Sequence, residues 1–276
     1  MTINCKGNLV DLSRIKVMGI LNVTPDSFFD GGKYKSDKDL LGQADKILSQ
    51  GATFIDLGGY SSRPGADFVT PDEEKTRLLP AIETLLKEFP DALLSIDTFR
   101  SGVARACLET GAALINDISA GWLDDFMFDV IAEFQAPYIM MHMRGTPKTM
   151  QQFTQYNDLV KDILFYFSER IEKARKLGIN DIIVDPGFGF SKTLSQNYEL
   201  LHKLELFEIL ELPLLVGISR KSMIYKLLET KAEEALNGTT VLNTIAVSKG
   251  AKVLRVHDVK EAMETVRIFE TAMGLR

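Results

Sequence analysis

The chain has 276 residues, 45% of them hydrophobic and 25% charged, with a net charge of −6, an ordinary globular composition whose acidic balance excludes a nucleic-acid footprint. No uninterrupted apolar segment is long enough to span a bilayer, and residues 1–10, interrupted by Asn4, Lys6 and Asn8, do not read as a signal peptide. Cys5 and Cys107 lie far apart without metal-ligand spacing, so both are expected to be free thiols of a cytoplasmic protein.

In chain order, residues 16–22 form a short apolar run that stops at Asn22 and passes into a turn with Pro25 and Gly31-Gly32. Such a run reads as a buried strand with a polar loop at its C-terminal mouth. Leu40, Leu41, Ala44, Ile47 and Leu48 predict a helix over 36–50, closed by Gly51. A strand over 52–57 opens into Gly58-Gly59-Tyr60-Ser61-Ser62-Arg63-Pro64-Gly65. Thr70 predicts the next N-cap, with Pro71 at the first helical position and Glu73 closing a capping box. A strand over 92–96 ends at Asp97, and the helix after it closes at Gly111. Further strands end at Asn116-Asp117, at Met140-Met141 before His142, and at Asp185-Pro186-Gly187. The last two lead into Ser219-Arg220-Lys221-Ser222 and, after Arg255, His257. Helices are expected over 122–134, 158–177, 195–208 and from 222 to 249, with Asp258 and Glu261 capping the last one. The plan is about eight strand–helix repeats without a linker, which predicts a single-domain α/β protein, a (β/α)8 TIM barrel over residues 1–276. A doubly wound open sheet is the alternative, but no Gly-x-Gly-x-x-Gly follows the first strand.

A barrel carries its site at the C-terminal ends of the strands. There the sequence places Asn22, Arg63, Asp97, Asn116, His142, Asp185, Lys221, Arg255 and His257. Arg63, Arg255 and His257, with Asn22 and Ser62, suit a polyanion. Asn22 offers an amide oxygen to Mg²⁺, a cation that keeps several waters and binds through substrate phosphates. Asp97, Asn116, Asp185 and Lys221 would satisfy a flat heterocycle with alternating donors and acceptors. Singly, each has an ordinary structural reading. Asp97 can cap a helix starting at Thr98, Asn22 can form an Asx turn, and Lys221 can be a solvated helix-start lysine. His142 is read as structural and His202 as a surface residue. The collection of so many polar strand ends on one inferred face argues for a site.

The chain resembles the dihydropteroate synthase family. The resemblance rests on Met18-Gly-Ile-Leu-Asn-Val-Thr-Pro-Asp-Ser-Phe28, Ser62-Arg-Pro-Gly65, Ser95-Ile-Asp-Thr98, Ile115-Asn-Asp-Ile118, Met141-His-Met143, Asp185-Pro-Gly-Phe-Gly-Phe190, Gly217-Ile-Ser-Arg-Lys-Ser222 and Arg255-Val-His-Asp-Val259, in order along nearly the whole chain. It implies a homodimeric, Mg²⁺-dependent transferase of folate biosynthesis and sulfonamide target, which condenses 6-hydroxymethyl-7,8-dihydropterin diphosphate with 4-aminobenzoate. Asp97, Asn116, Met140, Asp185 and Lys221 are then expected to hold the pterin, with Arg255 on its ring. The diphosphate falls to Asn22, Arg63, Arg255 and His257, with the metal at Asn22. The aminobenzoate wall falls to Ser62, Pro64, Phe188, Phe190, Lys221 and Ser222. Catalysis is expected of Asp97, Asp185, Lys221, Arg255 and His257, and the loops over 23–34 and 60–69 are expected to close over the site. The chain departs from the family pattern at Tyr60, Ser62 and Ser191, which bears on sulfonamide sensitivity. Two other readings are a pterin-dependent methyltransferase barrel and a non-catalytic pterin-binding protein.

Overall fold

The computed structural model describes residues 1–23, 33–60 and 68–275, with the side chains of residues 33–36 excepted. A hairpin of β1 (Thr2–Cys5) and β2 (Asn8–Asp11) precedes the barrel. The barrel strands are β3 (Lys16–Asn22), β4 (Phe54–Gly58), β5 (Leu93–Asp97), β6 (Leu114–Asp117), β7 (Tyr138–Met141), β8 (Ile182–Asp185), β9 (Leu214–Val216) and β10 (Ala251–Val256). They pair in parallel in sequence order, and β10 closes on β3. The helices are α1 (Lys33–Ser49), α2 (Pro71–Glu88), α3 (Ser101–Thr110), α4 (Met127–Phe134), α5 (Leu159–Lys176), α6 (Leu194–His202), α7 (Ser222–Leu227), α8 (Leu236–Ser248) and α9 (Val259–Ala272). The chain is thus the single-domain (β/α)8 barrel that the strand–helix repeats predict.

Successive strand side chains face opposite sides of a sheet, and the core divides accordingly. Met18, Phe54, Leu114, Ile139, Ile183, Leu215 and Val253 fill the barrel interior. Their neighbours Val17, Ile55, Ile115, Tyr138, Val184, Val216 and Leu254 face outward, in the layer shared with the helices. The hairpin, which the sequence analysis did not assign, contributes Ile3, Cys5, Val10 and Leu12 to the interior cluster. The Asn4 amide donates to Asp181 Oδ2 at 2.8 Å and Lys6 Nζ to the Gly111 carbonyl at 2.9 Å, fastening the hairpin below the strands. Its signal was alternation of Ile3 with Cys5 and of Val10 with Leu12 about Lys6-Gly7, whose φ values are 55° and 86°; left-handed residues at both turn centres are those of a tight hairpin.

Several boundaries differ from expectation, each because a side chain has another partner. Thr70 caps α2 by accepting from the Glu73 amide at 3.2 Å, but the Glu73 carboxylate pairs with Arg77, so the capping box is half made. A complete box stands at Thr193 and Gln196, opening α6. That helix ends at His202 and is followed by a 3-10 stretch over Leu204–Leu210 rather than continuing to 208. The expected helix over 122–134 begins only at Met127, because the chain before it winds around Asp117. That buried carboxylate accepts from the Ser119 and Gly121 amides at 2.7 and 2.8 Å and from the Tyr138 hydroxyl at 2.5 Å. Asp258 occupies the N-cap of α9 without making a side-chain cap; its two oxygens instead take Nε and Nη2 of Arg220 at 2.8 and 2.7 Å. Cys5 and Cys107 are buried free thiols, in the interior and outer layers respectively. Among the described residues no helix is long and apolar enough to cross a membrane.

Candidate active site

The interior positions become polar one step above the apolar layer. Two residues after Phe54 comes Asp56, after Leu93 Ser95, after Leu114 Asn116, after Ile183 Asp185 and after Val253 Arg255. The pairing register lines up Asn22 with Gly58, Gly58 with Asp97 and Asp97 with Asn116. Three strands therefore deliver their terminal polar groups in a row. A Cβ built on Gly58 would lie 3.2 Å from Asn22 Oδ1 and 3.9 Å from Asp97 Cβ, so the bare glycine is what lets these two residues approach.

Arg255 reaches from β10 to two strands across the interior. Its Nε donates to Asp56 Oδ2 at 2.6 Å and its Nη2 to Asp97 Oδ2 at 2.8 Å. Asp56 also accepts from Ser95 Oγ at 2.5 Å and from Asn116 Nδ2 at 3.2 Å. Sequence reasoning missed Asp56, and the missed signal was plain: a carboxylate inside the apolar strand Phe54–Gly58 requires a buried cation. Asp97 is not a helix cap, since α3 starts at Ser101 and the Ser101 amide donates to Asp124.

On the opposite wall, Asp185 Oδ1 accepts from the Gly187 amide at 2.8 Å. Lys221 Nζ donates to the Phe188 carbonyl at 2.6 Å and stands 4.7 Å from the Phe190 ring centre. A Cβ on Gly217 would meet Lys221 Nζ and Arg255 Cβ, both at 3.8 Å, so these two side chains flank the bare position that follows β9. Ser222 opens α7 directly after Lys221. His257 follows β10 on an exposed position and shares Ser219 Oγ with its Nδ1 at 3.0 Å. His142 is buried, as its structural reading expects.

Two expected contacts are not brought to this group. Met140 is fully buried in the outer layer, and it is Met141 that pairs with Asp185 at the mouth. The ring of Phe188 likewise packs in the outer layer, leaving its carbonyl to meet Lys221. Strand alternation accounts for Met140: Ile139 fills the interior, so its neighbour must face the helices. Ser62, Arg63 and Pro64 lie outside the described residues, as does most of each loop expected to close over the site. Tyr60 is described: its ring meets Phe99 edge-on at 5.8 Å, and the Arg100 guanidinium lies 5.3 Å from it. Ser191 has a φ of 51°, a left-handed conformation that favours glycine. Its hydroxyl accepts from the Arg144 amide at 2.8 Å and donates to the Arg144 carbonyl at 2.9 Å.

Burial shapes the electrostatics. It pushes the Asp97 carboxyl up to about 7; Arg255 opposes the rise and Asp56 adds to it. Asp185 is raised by burial against the pull of Lys221. Burial lowers Lys221 to about 8, against the field of Asp185, whereas the two aspartates hold Arg255 firmly charged. The mouth thus offers two carboxyls raised by burial, an amide and an ammonium around Arg255. These groups can read a flat ring with several N–H donors. No group of three or more His, Cys, Asp or Glu side chains among the described residues could hold a metal. Asn22 alone supplies an exposed amide oxygen, which fits a Mg²⁺ carried chiefly by water and ligand phosphate, not a metal caged by protein.

The profile of the family described as "Pterin binding enzyme" matches residues 18–257. Dihydropteroate synthase of Escherichia coli is 43% identical over 278 aligned positions, covering 100% of this chain and 98% of that protein. The enzyme of the same name from Synechocystis is 45% identical over 260 positions, covering 93% and 90%. Among solved structures, Yersinia pestis dihydropteroate synthase in a sulfonamide drug complex superposes with a TM-score of 0.92 at 43% identity, covering 100% of both chains. Xanthomonas albilineans dihydropteroate synthase with 4-aminobenzoic acid gives a TM-score of 0.92 at 35% identity, covering 100% of this chain and 99% of that one.

Proposed function

The chain belongs to the dihydropteroate synthase family, and from that premise we propose that it condenses 6-hydroxymethyl-7,8-dihydropterin diphosphate with 4-aminobenzoate, giving 7,8-dihydropteroate and pyrophosphate. The observation that carries this reading is the convergence of Asp97, Asn116, Asp185 and Lys221 on one mouth, floored by Arg255 between two carboxylates. Asp97 and Asp185 accept from the N–H groups of the pterin, Asn116 and Lys221 complete its edge, and the Arg255 guanidinium lies against its ring. Asn22 and His257 face the diphosphate from neighbouring strands β3 and β10, and Arg63 is assigned there by the family match. Phe190, Lys221 and Ser222, with Ser62 and Pro64 by the same match, line the aminobenzoate side.

The methylene C–O bond breaks first, its electron pair leaving with the diphosphate. The dihydropterin spreads the positive charge left behind, and the neighbouring carboxylates favour that cation. The neutral aromatic amine then forms the C–N bond and sheds one proton, so no strong base is needed beforehand. Mg²⁺, held at Asn22 and on the diphosphate, would supply charge stabilisation to the leaving group. Sulfonamides, which occupy the Yersinia pestis relative, are expected to compete with aminobenzoate here as well. The exposed apolar side chains Leu227, Leu228, Val241, Ile268 and Met273 on and beside α7, α8 and α9 support pairing with a second copy, and the two buried free thiols agree with a cytoplasmic location.

The test is pyrophosphate release that requires both substrates. A methyltransferase would release none, and a binder would saturate without turnover. Chelation of Mg²⁺ should weaken the pterin diphosphate but leave the affinity of the diphosphate-free pterin unchanged.

A further inference from the structure

Lys192 takes no part in the reading above, yet it is only 3% exposed. Its Nζ lies 2.9 Å from the Gly187 carbonyl, 3.0 Å from the Phe190 carbonyl and 3.1 Å from His142 Nδ1. Three contacts take up the hydrogen-bonding directions of the lysine nitrogen. The contact with His142 ties the residue after β7 to the same nitrogen, whichever of the two carries the shared proton. Burial lowers both Lys192 and His142 well below their ordinary ranges. His142 itself is fixed, 1% exposed and edge-on to Tyr166 at 4.9 Å.

The two carbonyls belong to the loop after β8, which is held almost wholly through its backbone. Gly187 and Gly189 are left-handed, with φ of 74° and 82°. A Cβ on Gly187 would stand 2.1 Å from the His142 carbonyl oxygen. The Gly189 amide donates to Asn197 Oδ1 at 2.6 Å and the Phe190 amide to the Gly187 carbonyl at 3.1 Å. Between the two carbonyls that Lys192 holds lies that of Phe188, which takes Lys221. Two lysines therefore share one loop. Lys221 spends one of its three donors on the Phe188 carbonyl and keeps others for a ligand, whereas Lys192, buried and fully bonded, has none to spare.

We propose that Lys192 is a positioning residue for the aminobenzoate side of the site. It holds the loop in the shape that presents the Phe190 ring, so that the remaining donors of Lys221 are left to the pterin. This rests on the roles of Phe190 and Lys221 in the proposed reaction. The experiment is steady-state kinetics of full-length Lys192→Met, with each substrate varied while the other saturates, alongside calorimetric binding of the pterin diphosphate. The aminobenzoate KM should rise about tenfold, with kcat and pterin affinity within about threefold of the parent, since misplacing a wall changes binding of what it touches. In a Phe190→Ala background, Lys192→Met should change that KM by less than about twofold, because groups acting through one another are non-additive. An unchanged KM, equal weakening of both substrates, or additivity with Phe190→Ala overturns the proposal. Should Lys192→Met fail to fold, His142→Leu removes one of its three partners and should move the same KM in the same direction by a smaller factor; no movement is again fatal. Absence of pyrophosphate release by the parent protein would instead overturn the reaction itself, and the role of Lys192 would fall with it.

Discussion

Asp56, Arg255 and Asp97 form the densest charge contact at the mouth, with Arg255 bonding both carboxylates. Removing one partner of such a pair strands the others in a dry site. Asp97 and Lys221 together govern how the site should respond to pH. Burial pushes the Asp97 carboxyl up to about 7 and the Lys221 ammonium down to about 8. A ligand that donates N–H to Asp97 selects the carboxylate, so below about 7 binding must expel a proton, and affinity falls as pH falls. A ligand that accepts from Lys221 selects the ammonium, so above about 8 binding must take up a proton, and affinity falls as pH rises. Pterin affinity is therefore expected to peak between those values. Calorimetry at pH 6 in buffers of different ionisation enthalpy should register proton release, and Asp97→Asn should abolish it; persistence of the release in that variant would assign it elsewhere.

At the scale of the elements, each strand does two jobs divided along its length. The lower interior residues pack an apolar plug and the upper ones carry polar groups, so an inward-facing side chain is structural or functional according to its height. The hairpin of β1 and β2 belongs wholly to the lower half. Leu12, fully buried beside it, tests the division. Leu12→Ala leaves a cavity that should cost about 3 kcal/mol, read as a lower urea midpoint. The pyrophosphate-release rate at low temperature should stay near that of the parent, since Asp97 and Arg255 lie at the other end of the barrel. A loss of turnover parallel to the loss of stability would mean that floor and mouth are coupled. Turn chemistry works at the same scale. Ser191 adopts a left-handed conformation and offsets its strain with two bonds to the Arg144 backbone, which gives this departure from the family pattern a physical account.

For the molecule as a whole, closure of β10 on β3 is the decisive event. It brings the last strand beside the first, and so Arg255 to Asp56 and His257 toward the mouth that Asn22 shares. It also leaves α7, α8 and α9 as neighbours on the outside, with Leu227 and Leu228 both more than half exposed. Sedimentation velocity is expected to give a dimer. Replacing Leu227 and Leu228 together by Lys should shift it toward monomer without loss of the folded circular-dichroism spectrum; an unchanged dimer would place the interface elsewhere.

The sequence alone determined the number and order of the repeats, the strand ends and most helix stops, because hydrophobic period, Pro, Gly and capping side chains act within a few residues of themselves. It placed Asp97, Asn116, Asp185, Lys221 and Arg255 at one mouth, since strand ends in a barrel must share a face. It could not say which groups pair there. The bond from Arg255 to Asp56 joins residues 199 positions apart, and no local pattern carries that information. Only the closed barrel, by setting register and strand alternation together, decided that Asp56 turns inward, that Met140 and the Phe188 ring turn away, and that Lys192 lies buried against the carbonyls of the loop it follows.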